Sequence, residues 1–356
     1  MNSQLKLLAV LVHRGLVAGD VARSAVASGD PGRFLVEHGV CSAAQWEQWL
    51  RTEGGVRPVL SRYDVGELLG EGGVGRVFAA LDKVDNRRVA LKVLRAELAR
   101  DAAATERFIR EAKLLQELEH GNLVKGYRVA REGESIFFAM ELLTGRCLQD
   151  VLAESGRLDE ETALQIVVDI AGALQALHAR GLVHRDVKPG NIQWSPERGA
   201  VLIDLGFAVP GRESTGGETT AGTVHYIAPE QARGSDHLDV RADIYALGAT
   251  LYHLTTGALP FPGRTSEEVL AKQVLESLSG ERIRALRLSP QLHYFLEKMM
   301  AKDPAMRFQD PPQLQQEIRT FLDQRRRERE LEQNARRQAP RLGDSRSRAE
   351  ERRRRR

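Results

Sequence analysis

Between residues 63 and 142 the chain is built from short β-type runs, and beyond residue 146 helical patterns take over. The first set comprises YDVGELLG, GRVFAAL, RRVALKVL and two further runs at 123–129 and 135–142, interrupted by one helix-like segment at 104–119. The second comprises LQDVLAES, ETALQIVVDIAGALQALHAR, DIYALGATLYHLTTG and SPQLHYFLEKMMA. Each such element must bury one apolar face, so a β-rich stretch followed by an α-rich stretch predicts an α+β protein of two lobes with a cleft between them. The 356 residues accommodate one large domain of about 250 residues with smaller appendages.

Two such appendages are legible. In residues 1–55, LVHRGL (11–16) and LVEHGV (35–40) recur, each reading as helix, glycine turn, helix. Ser42 is the expected N-cap of the last helix, where Trp46, Trp49 and Leu50 fall on one face. Two readings stand side by side: a small bundle that packs on its neighbour, or a docking module presenting exposed Trp to a partner. RTEGGVRP (51–58) has the composition of a linker, taken as 56–62 ahead of a domain at 63–322. At the other end, residues 324–356 hold 14 Arg against 6 Asp and Glu, so the high isoelectric point comes from this tail. The tail, 323–356, is expected to be partly helical or disordered, and is either simply solvated or a contact for an anionic lipid, nucleic acid or acidic protein.

The run LLAVLV (7–12) ends at His13 and Arg14, too short for a signal peptide. No window approaches the roughly 18 apolar residues of a membrane span. Cys41 and Cys147 have neither disulfide-framework nor metal-site spacing, and a reducing cytoplasm is the expected compartment.

Chemistry is concentrated in a few places. LGEGGVGRVF (69–78) carries Gly70, Gly72 and Gly75 in G-x-G-x-x-G spacing, which lets backbone N–H groups approach phosphate oxygens. Strand-like residues flank it on both sides, which argues against a dinucleotide fold and for a nucleotide lid. In VALKVL (89–94) the single charge, Lys92, shares a strand face with Ala90 and Leu94. The stripe Phe108, Glu111, Leu115, Leu118 turns Glu111 inward, where a carboxylate needs a partner, and Lys92 is the obvious one. VHRDVKPGNI (183–192) packs His184, Arg185, Asp186, Lys188 and Asn191 into ten positions, and DLG follows at 204–206.

In this order and spacing these motifs resemble the signature set of the eukaryotic-type protein kinases, in particular their bacterial serine/threonine members, over residues 63–322. GTVHYIAPE (222–230) looks like the segment ending in A-P-E, a peptide-docking platform; DIYALG (243–248) looks like the central helix of the large lobe, and Arg307 like the partner of Glu230. The resemblance implies a kinase-like fold with a β-rich N-lobe, an α-rich C-lobe and the small helical module in front. It implies ATP and Mg²⁺, with Mn²⁺ as the alternative ion. ATP would be contacted by Leu69, Gly70, Gly72, Gly75, Val77, Ala90, Lys92, Glu111, Met140, Glu141 and Leu143, and the metal held by Asn191 and Asp204. Asp186 would take or orient the proton of the attacking hydroxyl, Lys188 would stabilise charge at the transferring phosphoryl group, and Asn191 completes the catalytic set. His184 is expected to be structural. Arg185 is expected to face the activation segment, whose phosphate acceptors would be Thr219 or Thr220 ahead of Ser214 and Thr215.

Lys188 and Thr223 fit a serine/threonine rather than a tyrosine acceptor. Leu205 stands where Phe is more frequent, and Gln193 where an aliphatic residue is expected under the adenine. Cys147, near the ribose end of the hinge, is either incidental or a redox sensor. The rival to an enzyme is a pseudokinase scaffold acting through residues 1–55 or the tail; no essential position is missing, which separates the two.

Overall fold

A computed structural model describes residues 3–13, 15–52, 57–205, 208–210, 223–235, 237–278 and 288–338. The candidate acceptors at 214–220, Gly206 of the DLG turn and the tail beyond 338 lie outside them. The chain divides into two compact units, residues 1–144 with 204–206, and residues 145–203 with 207–356.

The first unit opens with four helices, α1 (Ser3–His13), α2 (Gly19–Ala27), α3 (Pro31–Glu37) and α4 (Ala43–Thr52). The repeated LV-x-x-G unit has a structural meaning. Gly15 and Gly39 adopt left-handed φ values of 68° and 66°, and each closes a helix through the same pair of bonds. Gly15 N donates to Val12 O and Leu16 N to Leu11 O; Gly39 N donates to Val36 O and Val40 N to Leu35 O. Ser42 caps α4 as expected, its hydroxyl accepting from Gln45 N at 3.1 Å. The Trp residues depart from the exposed-docking reading. Trp46 is buried with Leu7, Leu8, Leu11 and Leu35, and Trp49 packs against the same cluster. The Trp46 indole lies directly over Gly32, where any side chain would collide with it.

A five-stranded antiparallel sheet follows, β1 (Tyr63–Glu71), β2 (Gly75–Asp82), β3 (Arg87–Leu94), β4 (Gly126–Glu132) and β5 (Ser135–Glu141), in the order β1-β2-β3-β5-β4. Alternation assigns its faces. Leu60, Tyr63, Ala80, Val89, Leu91, Phe137 and Ala139 form one core cluster, while the register sets Val77 opposite Lys92 and Ala90 opposite Met140 on the other face. Between β3 and β4 runs α5 (Ala102–Glu117), two residues ahead of the expected start because Asp101 caps it, accepting from Ala103 N and Ala104 N. Gly126 lets β4 close on α5: a Cβ there would lie 2.7 Å from the Leu115 carbonyl carbon.

The second unit is mainly helical, with α6 (Leu148–Ser155), α7 (Glu160–His178), α8 (Pro229–Ala232), α9 (Val240–Thr256), α10 (Ser266–Leu275), α11 (Pro290–Met299) and α12 (Pro311–Gln338). Its strands are short: β6 (Arg146–Cys147), β7 (Leu182–Val183), β8 (Ile192–Ser195), β9 (Gly199–Leu202) and β10 (Val209–Pro210). α7 and α9 are apolar nearly all round and form the core of this unit. α12 buries Leu314, Ile318 and Leu322, and its Gln315 amide donates to Val168 O of α7 at 2.7 Å. Beyond Leu322 the described side chains are exposed, and Arg329 pairs with Glu161 of α7. No helix among the described residues is long and apolar enough to cross a membrane.

Candidate active site

In the first unit, strand alternation and helix periodicity converge on Lys92. β3 turns its side chain onto the Val77 face, and α5 turns Glu111 inward beside Phe108, Ala112 and Leu115. Lys92 Nζ donates to Glu111 Oε1 at 2.8 Å and to Asp204 Oδ2 at 3.4 Å. Burial alone would lower Lys92, but Asp204 and then Glu111 outweigh it and hold the ammonium above its ordinary value. Burial, followed by repulsion from Asp204, pushes Glu111 up to about 7 against the pull of Lys92. Two carboxylates thus share one ammonium, and the cluster carries excess negative charge that a divalent cation would neutralise. Leu205 is 1 % exposed and fills the apolar slot of the turn that carries Asp204.

The glycine loop joins β1 to β2, with Gly72 N donating to Gly75 O at 2.9 Å. Its glycines serve different ends. A side chain at Gly75 would collide with Val93 O of β3, whereas at Gly70 and Gly72 it would meet nothing within 4 Å. Packing within the chain therefore demands Gly75 alone, and the open backbone at Gly70 and Gly72 fits close approach by phosphate. Ala90 and Met140 are buried and paired across β3 and β5; Val77, Glu141 and Leu143 are half-buried, and Leu69 is exposed.

In the second unit the stretch from His184 to Asn191 is held from beneath by Asp243 of α9. This carboxylate, 1 % exposed, accepts from His184 N and Arg185 N, both at 2.8 Å. Burial pushes its carboxyl up, while His184, the two amides and Arg185 pull it back. Arg185 has a left-handed φ of 67°, a conformation costly for a side-chain-bearing residue, and the paired bonds to Asp243 stabilise it. The sequence reading singled out DIYALG but gave Asp243 itself no role, although an acid at the head of so apolar a run was a visible signal. His184 is buried, and its Nδ1 accepts from Asp186 N at 3.1 Å.

Asp186, Lys188 and Asn191 come together. Asp186 Oδ2 receives Lys188 Nζ at 2.8 Å and Asn191 Nδ2 at 2.8 Å, and the same Asn191 amide also reaches Asp186 O at 2.8 Å. Asp186 Oδ1 is buried with no hydrogen-bond partner among the described residues. A carboxylate fixed through one oxygen and unpaired at the other is oriented to take up a proton there. Asn191 O accepts from Ile203 N at 3.0 Å, tying this loop to the strand that leads into the DLG turn.

Two further sites gain definition. Burial raises the Cys147 thiol, whose Sγ lies 3.5 Å from Pro189 O, so it stays a thiol; this opposes the redox-sensor reading. Gln193 is opposite Cys147 in the β6–β8 pair, with Oε1 buried and without a partner among the described residues. Arg307, fully buried, forms the expected fork to Glu230 at 2.6 and 2.8 Å.

The model of the protein kinase domain matches residues 63–318. The chain is 38 % identical over 263 residues to a probable serine/threonine-protein kinase of Corynebacterium efficiens, covering 70 % of this chain and 40 % of that protein. It is 37 % identical over 264 residues to the serine/threonine-protein kinase PknB of Mycobacterium leprae and 36 % over 265 residues to PknB of Mycobacterium tuberculosis, covering 72 % of this chain and 42 % of each relative. The chain thus spans about two-fifths of the length of these relatives. With the motifs assembled as described, the chain belongs to the protein kinase family, and its relatives are bacterial serine/threonine-protein kinases.

Proposed function

We propose that this chain is a protein serine/threonine kinase that uses ATP with Mg²⁺, Mn²⁺ being the alternative ion. The observation that carries the reading is the Asp186 carboxylate, with Oδ2 held by Lys188 and Asn191 and Oδ1 buried without a hydrogen-bond partner among the described residues. When bound, ATP supplies the phosphoryl group and the divalent ion offsets its charge. Gly70, Gly72 and Lys92 would hold phosphates, Ala90 and Met140 would border the base, and Asp204 and Asn191 would hold the metal. Asp186 would accept or orient the proton of a serine or threonine hydroxyl through Oδ1, and Lys188 would stabilise charge on the phosphoryl oxygens. A non-catalytic scaffold has no observation in its favour, since each position the chemistry needs carries its expected residue.

The same reading includes autophosphorylation on the activation segment, with Thr219 and Thr220 as the favoured acceptors and Arg185 as the phosphate's partner. It also includes cytoplasmic residence, a docking role for residues 1–55, and an anionic partner for the Arg-rich tail. Co-sedimentation with anionic vesicles or RNA tests the tail: it should weaken at high salt and be lost on truncation after Gln324. The central test is transfer of labelled phosphate from Mg-ATP to a basic acceptor protein, full-length chain against Asp186→Ala. Equal transfer by both would reject the assignment. Mass spectrometry of the same two proteins should find phosphate on Thr219 or Thr220 in the active form only.

A further inference from the structure

Outside the cluster around Asp186 lies a second, largely buried polar chain, in which Gln273 and Lys302, outside the kinase motifs, meet Tyr245 of DIYALG. Gln273 of α10 is 0 % exposed. Its Nε2 donates to His225 O at 2.7 Å and lies 3.4 Å from Val224 O, while its Oε1 accepts from the Tyr245 hydroxyl of α9 at 2.6 Å. Lys302 Nζ donates to the Tyr245 hydroxyl at 3.0 Å and to Gln273 O at 2.7 Å. Donation thus runs one way, from Lys302 through Tyr245 and Gln273 to the carbonyls of residues 224 and 225. The two carbonyls require the amide nitrogen to face them, which fixes the Gln273 orientation. Such a chain polarises each member in the same sense. The cations are seated as well, with Lys302 Nζ 4.1 Å from the Phe261 ring centroid and the Arg307 guanidinium 4.9 Å from that of Tyr245.

The held segment belongs to GTVHYIAPE, the stretch that resembles the peptide platform of the kinases. Residues 223–225 form a short 3₁₀ turn, and Tyr226, Ile227 and Ala228 are buried after it. Gln273 places an obligatory amide donor where this backbone would otherwise bury two carbonyls without α-helical or strand partners. We propose that Gln273, supported by Tyr245 and Lys302, is a positioning residue for the protein substrate: it clamps the backbone at Val224 and His225 and so sets the surface that receives the acceptor peptide. This rests on the kinase reading and extends it to a residue that touches neither nucleotide nor reacting atoms.

The test uses the full chain with Gln273→Leu, Tyr245→Phe, Lys302→Met and Lys302→Arg. Tyr245→Phe keeps the ring beneath Arg307 and Lys302 and removes only the hydroxyl, so it remains informative where Gln273→Leu fails to fold. Gln273→Leu and Tyr245→Phe should raise KM for a protein acceptor by about 3- to 10-fold, the scale of one lost hydrogen bond, with KM for ATP and intrinsic ATP hydrolysis unchanged. Lys302→Met should follow them, and Lys302→Arg, which keeps a donor, should restore most of the wild-type value. Parallel changes in acceptor KM, ATP KM and hydrolysis would mark the chain as general scaffolding and overturn the proposal, as would unchanged acceptor KM. Hydrogen exchange supplies a readout independent of turnover: amides of residues 224–228 should exchange at least about fivefold faster in Tyr245→Phe while those of α7 do not change. Unchanged exchange there rejects the clamp even where the wild type is active; absence of acceptor phosphorylation by the wild type, with faster exchange in the variant, rejects the kinase reading and leaves the clamp.

Discussion

Asn191 donates one side-chain amide to two acceptors of Asp186, the backbone carbonyl and Oδ2, each at 2.8 Å. A single residue thereby fixes both the loop backbone and the carboxylate orientation, leaving the buried Oδ1 without a hydrogen-bond partner among the described residues. Asp186→Asn should preserve folding and ATP binding and reduce turnover by on the order of 10²-fold or more, because on the proposed reading the carboxylate acts on the acceptor hydroxyl. Steady-state phosphorylation of a basic acceptor checks this; more than about a tenth of the wild-type rate would contradict the role.

Lys92 and Glu111 separate activity from stability. Lys92→Met should cut kcat or raise KM for ATP, since it removes the group that would orient the phosphates. Glu111→Gln should lower activity as well, yet leave the melting temperature at pH 8 within roughly 2 °C of wild type. The sign follows from Glu111 being pushed up to about 7 in the fold, above its ordinary value. Its contribution to stability is complete below the unfolded value near 4.5 and lost as pH rises through about 7, so at pH 8 a neutral amide removes a burden. Strong destabilisation at pH 8 would show that the Lys92 pair outweighs the repulsion from Asp204.

The Arg307–Glu230 fork should behave in the opposite way. Arg307 is fully buried and also donates to Ala301 O, Arg241 O and Lys302 O. Glu230→Gln leaves its guanidinium without a counter-charge, and about 3–5 kcal/mol of stability should be lost. Urea denaturation measures it, and a loss below about 1 kcal/mol would mean that the three carbonyls suffice.

A pH dependence should come from His225 and His253. Burial, and for His253 the neighbouring His225, holds both rings below their ordinary value, while burial raises the Tyr226 phenol. The Tyr226 hydroxyl and Nδ1 of a neutral His253 share a hydrogen bond of 2.8 Å. On acidification the unfolded chain takes up protons first, so stability should fall as pH drops below about 6.5 and be fully present above about 7. His253→Gln should flatten that slope between pH 7 and 5.5 in thermal melts. An identical slope in the variant would place the dependence elsewhere.

In the N-terminal helices, Gly32→Ala should displace Trp46 from its seat, because a Cβ has no room beneath the indole. Tryptophan fluorescence should shift to the red as the ring gains water, with phosphotransfer little changed. An unshifted spectrum would show that α3 and α4 separate without exposing the ring.

Local rules carried much of this protein in its sequence. Strand alternation placed Lys92 and helix periodicity placed Glu111, because each depends on neighbours within a few positions, while Asp186, Lys188 and Asn191 stood out by their crowding in ten residues and took their roles from the resemblance to the kinases. The repeated LV-x-x-G units likewise announced two glycine turns between helices, and both glycines prove left-handed, a conformation that glycine takes without strain. What escaped was set by contacts across long separations. Trp46 and Trp49 share a helical face, but whether that face meets water or Gly32 and Leu35 depends on how four helices pack. Asp243 beneath His184 and Arg185, 58 positions away from the latter, and Gln273 at the carbonyl of His225, 48 positions away, answer backbone groups whose need for a partner exists only once the chain is folded. A polar residue in an apolar helix signals that something must satisfy it; only the tertiary structure names the group it satisfies.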